Sequence, residues 1–86
     1  KVTLKDEVID LTKKEFELLY LLVKNKGVTY SRGKLLDLVW GYNFKGYEHT
    51  VNSHINRLRN KVEQDPSNPE YVLTVWGVGY KFNDEL

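Results

Sequence analysis

Hydrogen-bonding side chains occupy one face of the segment from residue 49 to residue 63. At a helical step of about 100° per residue, its apolar residues fall on one narrow arc that would face a core: Val51, Ile55, Leu58 and Val62. The opposite arc carries polar groups at His49, Ser53, Asn56, Arg57 and Asn60. Such groups can pair with DNA base edges, because a guanidinium matches guanine O6 and N7 and an amide matches adenine N6 and N7. The pattern predicts a helix that contacts double-stranded DNA; a polar surface without a partner is the alternative.

Basic residues are concentrated in the middle of the chain. Residues 24 to 61 include eight Lys or Arg residues and two acidic ones, whereas the remainder has five basic and ten acidic residues. The formal net charge of the 86 residues is only +1. Charge segregation of this kind can direct a phosphate backbone to one face, although a solvated surface is also often unevenly charged.

The sequence offers few groups for catalysis or metal binding. It has no cysteine, and therefore neither a disulfide nor a thiolate zinc site. His49 and His54 are five positions apart, so that on a helix they point in different directions and would not share a metal. Because the sequence also lacks a Gly-rich phosphate loop and a Gly-x-Ser-x-Gly elbow, we expect no enzymatic activity, cofactor or metal. It has no membrane-length apolar run and no secretory signal, which favours a cytoplasmic location without a membrane partner.

The elements that must position the polar helix begin with a small sheet and a helix. Residues 1–11 are predicted to form short strands around a turn at Lys5-Asp6-Glu7. Thr12 and Glu15 have the spacing of a capping box, so a first helix should start there and end near Gly27. Its apolar arc is wide enough to predict a largely buried helix: Phe16, Leu18, Leu19, Leu21, Leu22 and Val23.

Two further helices follow in close succession. After the β-prone run Val28-Thr29-Tyr30, Ser31 can cap a second helix that stops at Gly41. Residues 41 to 48 are predicted to be a loop. Thr50 is the expected cap of the third helix, which should end by Asp65-Pro66 because a proline disfavours helical geometry in the preceding residue.

The C-terminal segment predicts a β-hairpin. Two β-patterned runs, residues 71–76 and 78–82, meet at Gly77-Val78-Gly79. We expect Tyr71, Leu73 and Val75 to face inward with Tyr80 and Phe82, and the outward side chains to be Thr74, Trp76 and Lys81. An exposed Trp at a hairpin tip is costly unless something covers it. Either a DNA groove covers Trp76, or Trp76 folds back on Tyr80.

Four blocks of the sequence resemble the DNA-binding effector domain of OmpR/PhoB-type response regulators: LTKKEFELL, SRGKLLDLVWG, HTVNSHINRLRNKVE and YVLTVWGVGYKF. They have the family's order and spacing and cover essentially the whole chain. The resemblance implies one α+β domain over residues 1–86, a winged helix-turn-helix with three helices, a short N-terminal antiparallel sheet and a C-terminal β-hairpin wing. It also implies a receiver domain that a sensor histidine kinase phosphorylates. Because neither that receiver nor the family's first strands is in the sequence, we expect the chain to be a fragment.

The resemblance also implies a role for particular residues in DNA binding. The recognition helix falls on residues 50–62, and the expected base contacts are Ser53, Asn56 and Arg57. The expected phosphate contacts are Thr50, His54, Arg59, Trp40, Tyr30, Arg32 and Lys61. In the wing, the matching residues are Thr74, Trp76 and Tyr80.

This sequence departs from the family's pattern at three positions that bear on DNA recognition. His49 stands where Arg is common, Asn56 replaces a frequent basic residue, and Trp76 occupies a wing position that is often Arg. The preferred DNA sequence should therefore differ from that of relatives. The implied partners are promoter DNA with tandem direct-repeat half-sites and RNA polymerase at the 41–48 loop. A winged helix that binds protein or RNA is the alternative, and it would predict exposed apolar anchors on the third helix.

Overall fold

Three helical regions and two small antiparallel sheets are present in the part of the chain that the structure describes. The computed structural model describes residues 2–4, 7–41 and 47–86. In chain order the elements are β1 (Val2–Leu4), β2 (Glu7–Ile9), α1 (Lys13–Lys24), β3 (Tyr30–Ser31), α2 (Arg32–Leu35), a π-helical segment (Leu36–Trp40), α3 (His49–Val62), β4 (Val72–Val75) and β5 (Gly79–Phe82). β1 pairs with β2, and the second sheet has the order β3-β5-β4. The predicted α+β class is confirmed.

The start of α1 is fixed by the predicted capping box. Thr12 Oγ1 accepts a hydrogen bond from the Glu15 N–H at 3.2 Å, and Glu15 Oε1 accepts one from the Thr12 N–H at 3.0 Å. These two contacts satisfy N–H groups that have no partner within the helix. In the preceding hairpin Glu7 belongs to β2 rather than to the turn, and the other two predicted turn residues, 5 and 6, lie outside the described residues.

The prediction that α1 is largely buried was wrong. Leu18 and Leu22 are fully buried, but Phe16 and Val23 are 44% and 43% exposed. The physical reason is that α1 packs against α3, the π-helical segment and β5, which leaves its far side in solvent. Periodicity shows which residues share a face, but it does not show how many faces are covered.

The core forms where α1, α3 and the second helical region meet, the last consisting of α2 and the π-helical segment that follows it. All four apolar residues predicted on the inner arc of α3 are buried, which confirms the orientation of that helix. The other buried apolar residues are Leu18, Leu22, Leu35, Leu36 and Val72. Because the inner arc of α3 is held in this core, its opposite arc faces outward.

The ends of the second and third helical regions differ in part from the prediction. Ser31 caps α2, since its Oγ accepts a hydrogen bond from the Lys34 N–H at 3.1 Å. The following π-helical segment ends at Trp40, and Gly41 is its C-cap, as predicted. Thr50 is not the cap of α3, which begins at His49. The Thr50 N–H donates to the Tyr47 carbonyl at 2.9 Å. This N–H at the start of the helix is therefore satisfied by the preceding backbone and not by a capping side chain.

Glu63 fixes the entry to β4, a role that the sequence analysis missed. α3 ends at Val62, before Asp65-Pro66 as predicted, and Glu63 adopts an extended conformation. Its buried carboxylate accepts hydrogen bonds from the N–H groups of Glu70, Tyr71 and Val72 at 2.7 to 3.1 Å. One side chain thereby satisfies three consecutive backbone donors of the segment that leads into β4.

We expect Glu63→Ala to lower the free energy of unfolding by about 2–4 kcal/mol, because three N–H groups would lose a charged acceptor. Urea unfolding of wild type and variant measures the difference. Gln64→Ala is the matched control, since Gln64 is exposed and surface substitutions change stability by about 0.5 kcal/mol or less. Equal losses in the two variants would contradict this role of Glu63.

β4 of the hairpin has the opposite face inward from the one predicted, whereas Tyr80 and Phe82 of β5 pack against the core as predicted. Val72 is fully buried and pairs with Phe82, and Thr74 pairs with Tyr80. Thr74 contacts α3 through its hydroxyl, whereas Leu73 and Val75 alternate to the other, half-exposed face. Since side chains alternate with a period of two, an error of one residue reverses the whole strand.

A third strand, β3, joins the hairpin in this sheet, and it is shorter than the β-prone run at residues 28–30. β3 is confined to Tyr30–Ser31, and the residues before it, 28 and 29, are irregular. The hairpin turn covers residues 76–78, and the Val78 N–H donates to the Val75 carbonyl at 2.9 Å. Gly77 lies at the third position of this turn with φ 78°, a conformation that glycine adopts without steric cost.

Candidate nucleic-acid interface

The outward arc of α3 presents side chains without partners. Ser53, Asn56 and Arg57 are exposed, and none of them forms a side-chain hydrogen bond to another described residue. The buried arc on the other side of the helix prevents them from turning inward. Their hydroxyl, amide and guanidinium groups are therefore available to a ligand outside the domain.

Trp40, Thr50 and His54 are brought together at one flank of this arc. His54 Nδ1 lies 2.9 Å from the Thr50 carbonyl oxygen. The Trp40 ring meets the His54 ring edge to face, with centroids 4.8 Å apart and planes at 77°. Lys14 from α1 lies 5.9 Å from the Trp40 centroid and donates to the Val39 carbonyl at 2.8 Å. These contacts link the end of the second helical region to α3 and place three predicted phosphate contacts side by side.

Arg59 joins α3 to the wing. Its Nε and Nη2 lie 3.0 and 2.8 Å from the Val72 carbonyl oxygen, and Nη2 also donates to Thr74 Oγ1 at 2.8 Å. The guanidinium carbon lies 5.5 Å from the Tyr80 ring centroid. Burial lowers the pKa of Arg59, and Tyr80 and Glu63 oppose this shift. The guanidinium remains charged, but much of its donor capacity is used inside the domain.

A second contact between α3 and the wing involves Tyr80. Its hydroxyl donates to Asn52 Oδ1 at 2.8 Å. Thr74 and Tyr80, both predicted wing contacts, therefore also connect the wing to α3. The sequence analysis missed Asn52; its place beside Arg59 on one flank of the helix was the available signal.

Lys61 has its partner on α1 rather than on the outward arc. Its Nζ lies 2.6 Å from Glu15 Oε1, and the Glu15 side chain is only 1% exposed. Burial raises the pKa of Glu15, but hydrogen bonds from Lys61 and Thr12, with the charge of Lys61, outweigh it and leave this pKa below the ordinary value. The ion pair thus connects the first turn of α1 to the last turn of α3.

We expect Glu15 to make stability depend on pH in the acid range. A carboxyl whose pKa is lower in the folded state stabilises the fold above the unfolded value, here 4.5, and this contribution disappears as the pH falls through the folded pKa. Urea unfolding at several pH values should show that Glu15→Gln weakens the acid dependence. Glu17→Gln, on the same helix, serves as the control. Undiminished acid dependence in Glu15→Gln would show that other carboxylates cause it.

The wing tip and the start of α2 border an open cleft. Trp76 is 90% exposed, so it does not fold back on Tyr80 in this structure. The cleft has a volume of about 320 Å³ and is lined in part by Arg32, Asn52, Tyr80 and Trp76. Arg32 Nε lies 4.0 Å from Glu48 Oε1, and half-buried Tyr30 pairs with Tyr80 across β3 and β5.

The described residues contain no group of three His, Cys, Asp or Glu residues that could hold a metal ion. In the same part of the chain, no helix has the length and apolarity that crossing a membrane requires.

Comparison with known proteins decides the family. The model described as "Transcriptional regulatory protein, C terminal" matches residues 6–82. The chain belongs to this family. In sequence, this transcriptional regulatory domain is 51% identical over 81 residues to the DNA-binding response regulator MtrA of Mycolicibacterium smegmatis, a match that covers 94% of the domain and 36% of MtrA. The domain spans about a third of the length of such curated relatives.

Two solved structures share the fold. The response regulator DrrB of Thermotoga maritima, an OmpR/PhoB homologue, is 42% identical with a TM-score of 0.85, over 93% of this domain and 36% of DrrB. The RstA DNA-binding domain of Klebsiella pneumoniae in complex with the RstA box is 30% identical with a TM-score of 0.80, over 90% of this domain and 76% of that chain. The resemblance to OmpR/PhoB-type effector domains and the predicted winged helix-turn-helix fold are both confirmed.

Proposed function

We propose that this domain binds double-stranded DNA in a sequence-specific manner and controls transcription as the effector of a two-component response regulator. The observation that carries the proposal is the outward arc of α3. Ser53, Asn56 and Arg57 are exposed and lack partners among the described residues, while the core fixes the helix from behind. The known DNA complex of the RstA domain, which has the same fold, supports this reading.

The residues on and around the arc are proposed to have three kinds of role. Ser53, Asn56 and Arg57 are proposed to contact bases. Proposed phosphate contacts are the residues at the flank and the cleft: Trp40, Thr50, His54, Tyr30 and Arg32. Arg59 and Lys61 already have partners inside the domain, so their main proposed role is to hold the wing and α1 against α3.

Further partners follow from the family. We propose a cytoplasmic regulator whose receiver is phosphorylated by a sensor histidine kinase and whose DNA sites are tandem direct repeats. RNA polymerase is a proposed partner of the loop at 41–48, most of which, residues 42–46, lies outside the described residues. The proposed function requires no catalytic group, cofactor or metal.

A salt titration of duplex binding tests the proposal. Phosphate contacts release counterions, so the affinity for duplex DNA should fall steeply with ionic strength, and one duplex sequence should be preferred at every salt concentration. A-form RNA of the same sequence serves as the comparison, because its deep major groove does not admit a helix. Equal affinity for both duplexes, or no binding to either, would contradict the proposal.

Arg57 is expected to carry part of the sequence preference. Arg57→Ala should weaken binding to the preferred site by about 1–3 kcal/mol and relax the choice at one or two base pairs. Arg57→Lys is the matched variant. It keeps the charge but cannot form the bidentate hydrogen bond to a base, so it should also relax the base-pair preference. Competition binding against a set of site variants measures both effects. If the ranking of sites stayed the same in Arg57→Ala, Arg57 would not contact bases.

A further inference from the structure

The hydrogen bond between His54 and Thr50 determines which nitrogen of His54 carries the proton. His54 Nδ1 lies 2.9 Å from the Thr50 carbonyl oxygen. A carbonyl oxygen only accepts hydrogen bonds, so Nδ1 must be the donor. A neutral imidazole has a single N–H group. Neutral His54 therefore presents a lone pair, and not a proton, at Nε2.

Nε2 of His54 is open to a ligand. It has no hydrogen-bond partner among the described residues, and the His54 side chain as a whole is only half-buried. The ring is held by the Thr50 carbonyl on one side and by the edge-to-face contact with Trp40 on another. This orientation keeps the tautomer and the direction of Nε2 fixed.

The charged groups near His54 come from three elements. On α3 itself, Arg57 lies three residues after His54, and Lys61 forms an ion pair with Glu15. The π-helical segment contacts His54 through Trp40, which is uncharged, and its one charged residue is the exposed Asp37. From α1, Lys14 lies over the Trp40 ring and pairs with Glu17 at 3.3 Å. Positive and negative groups are thus mixed, and among the described residues no carboxylate hydrogen bonds to the imidazole.

A phosphate oxygen at this position cannot bond to neutral His54. Phosphate oxygens only accept hydrogen bonds, and the lone pair at Nε2 would face another lone pair. Once protonated, the same nitrogen donates a charge-assisted hydrogen bond. We propose that His54 binds a DNA phosphate as an imidazolium, so that each domain takes up one proton from solvent at Nε2 when it binds DNA. This inference rests on the proposed function, and within it Thr50 and Trp40 are positioning residues.

The first test is the pH dependence of DNA affinity at constant ionic strength. The probe is a duplex that the domain selects from a random-sequence library at about pH 6. Because the complex holds one more proton than the free partners, affinity should fall as the pH rises, by up to about tenfold per unit. His54→Gln should abolish this dependence, since its amide N–H donates at every pH. His49→Gln removes the other imidazole of the chain but keeps His54, so this variant should retain the pH dependence even if its affinity changes.

The second test observes the protonation directly. Nitrogen-15 NMR of the imidazoles should show the Nδ1–H tautomer for His54 in the free domain at about pH 8, and both nitrogens protonated in the complex at a pH where free His54 is neutral. A free Nε2–H tautomer, or a neutral His54 in the complex, would overturn the inference. DNA binding with the same affinity at every pH would also overturn it and leave the proposed function intact. Failure to bind any duplex at any pH would contradict the proposed function itself.

Discussion

Gly79→Ala is expected to lower the free energy of unfolding by about 3 kcal/mol or more, because overpacking against backbone cannot be relieved by a side-chain rotation. A Cβ at Gly79 would lie 1.9 Å from the Tyr30 carbonyl oxygen and 2.9 Å from the Ser31 Cα. β3 would have to separate from β5, where Ser31 pairs with Gly79. Ser31 also caps α2, so the damage should extend from the wing into the second helical region.

Gly77 offers the matched control for this substitution. Gly77 also lies in the hairpin, but a Cβ there would meet nothing within 4 Å. Gly77→Asn should cost little, because Asn tolerates the left-handed conformation better than most residues. Urea unfolding and backbone amide exchange at Tyr30 and Tyr80 compare the two variants. Unchanged stability and protection in Gly79→Ala would show that β3 can move away without loss.

Local sequence patterns predicted the orientation of α3 and the caps at Thr12 and Ser31. A capping box depends on two residues three positions apart, and the inner arc of α3 is a single uninterrupted stripe. Both signals are complete within one short segment. For that reason the outward position of Ser53, Asn56 and Arg57 could be predicted before any packing was known.

The errors concern features that contacts between distant segments decide. In β4 both faces carry apolar residues, so alternation alone did not distinguish Val72 from Leu73 as the inward residue. On the inward face Val72 is fully buried, and Thr74 accepts a hydrogen bond from Arg59, fifteen residues away on α3. The roles of Lys61 and Glu63 were missed for the same reason: their partners, Glu15 on α1 and the residues before β4, lie far from them in sequence.

Two sets of hydrogen bonds connect α3 to the wing. Arg59 binds the β4 backbone and the Thr74 hydroxyl, and Tyr80 binds Asn52. These contacts involve a charged donor or a half-buried hydroxyl, which are stronger than exposed surface contacts. A ligand that contacts the outward arc of α3 therefore lies beside the wing, where Trp76 is exposed at the tip.

Trp76 is the side chain whose environment should change most when DNA binds. Its exposure of 90% exceeds that of every other large apolar residue described, of which Val8 is next at 62%. The turn that carries it leaves the indole without packing on Tyr80, whose ring lies against Arg59. Since Arg32, Asn52 and Tyr80 line the adjacent cleft, a nucleic acid in that cleft would also cover the indole.

We therefore expect Trp76→Ala to weaken DNA binding by about 2 kcal/mol, or roughly thirtyfold, through loss of shielded apolar area. Val78→Ala, in the same turn and 55% exposed, is the control and should have a smaller effect because it removes much less area. In a Trp40→Phe background, emission and acrylamide quenching report on Trp76 alone, and adding the preferred duplex should reduce quenching. Full affinity in Trp76→Ala together with unchanged quenching would place the wing tip outside the DNA interface and leave the outward arc of α3 as the principal source of specificity.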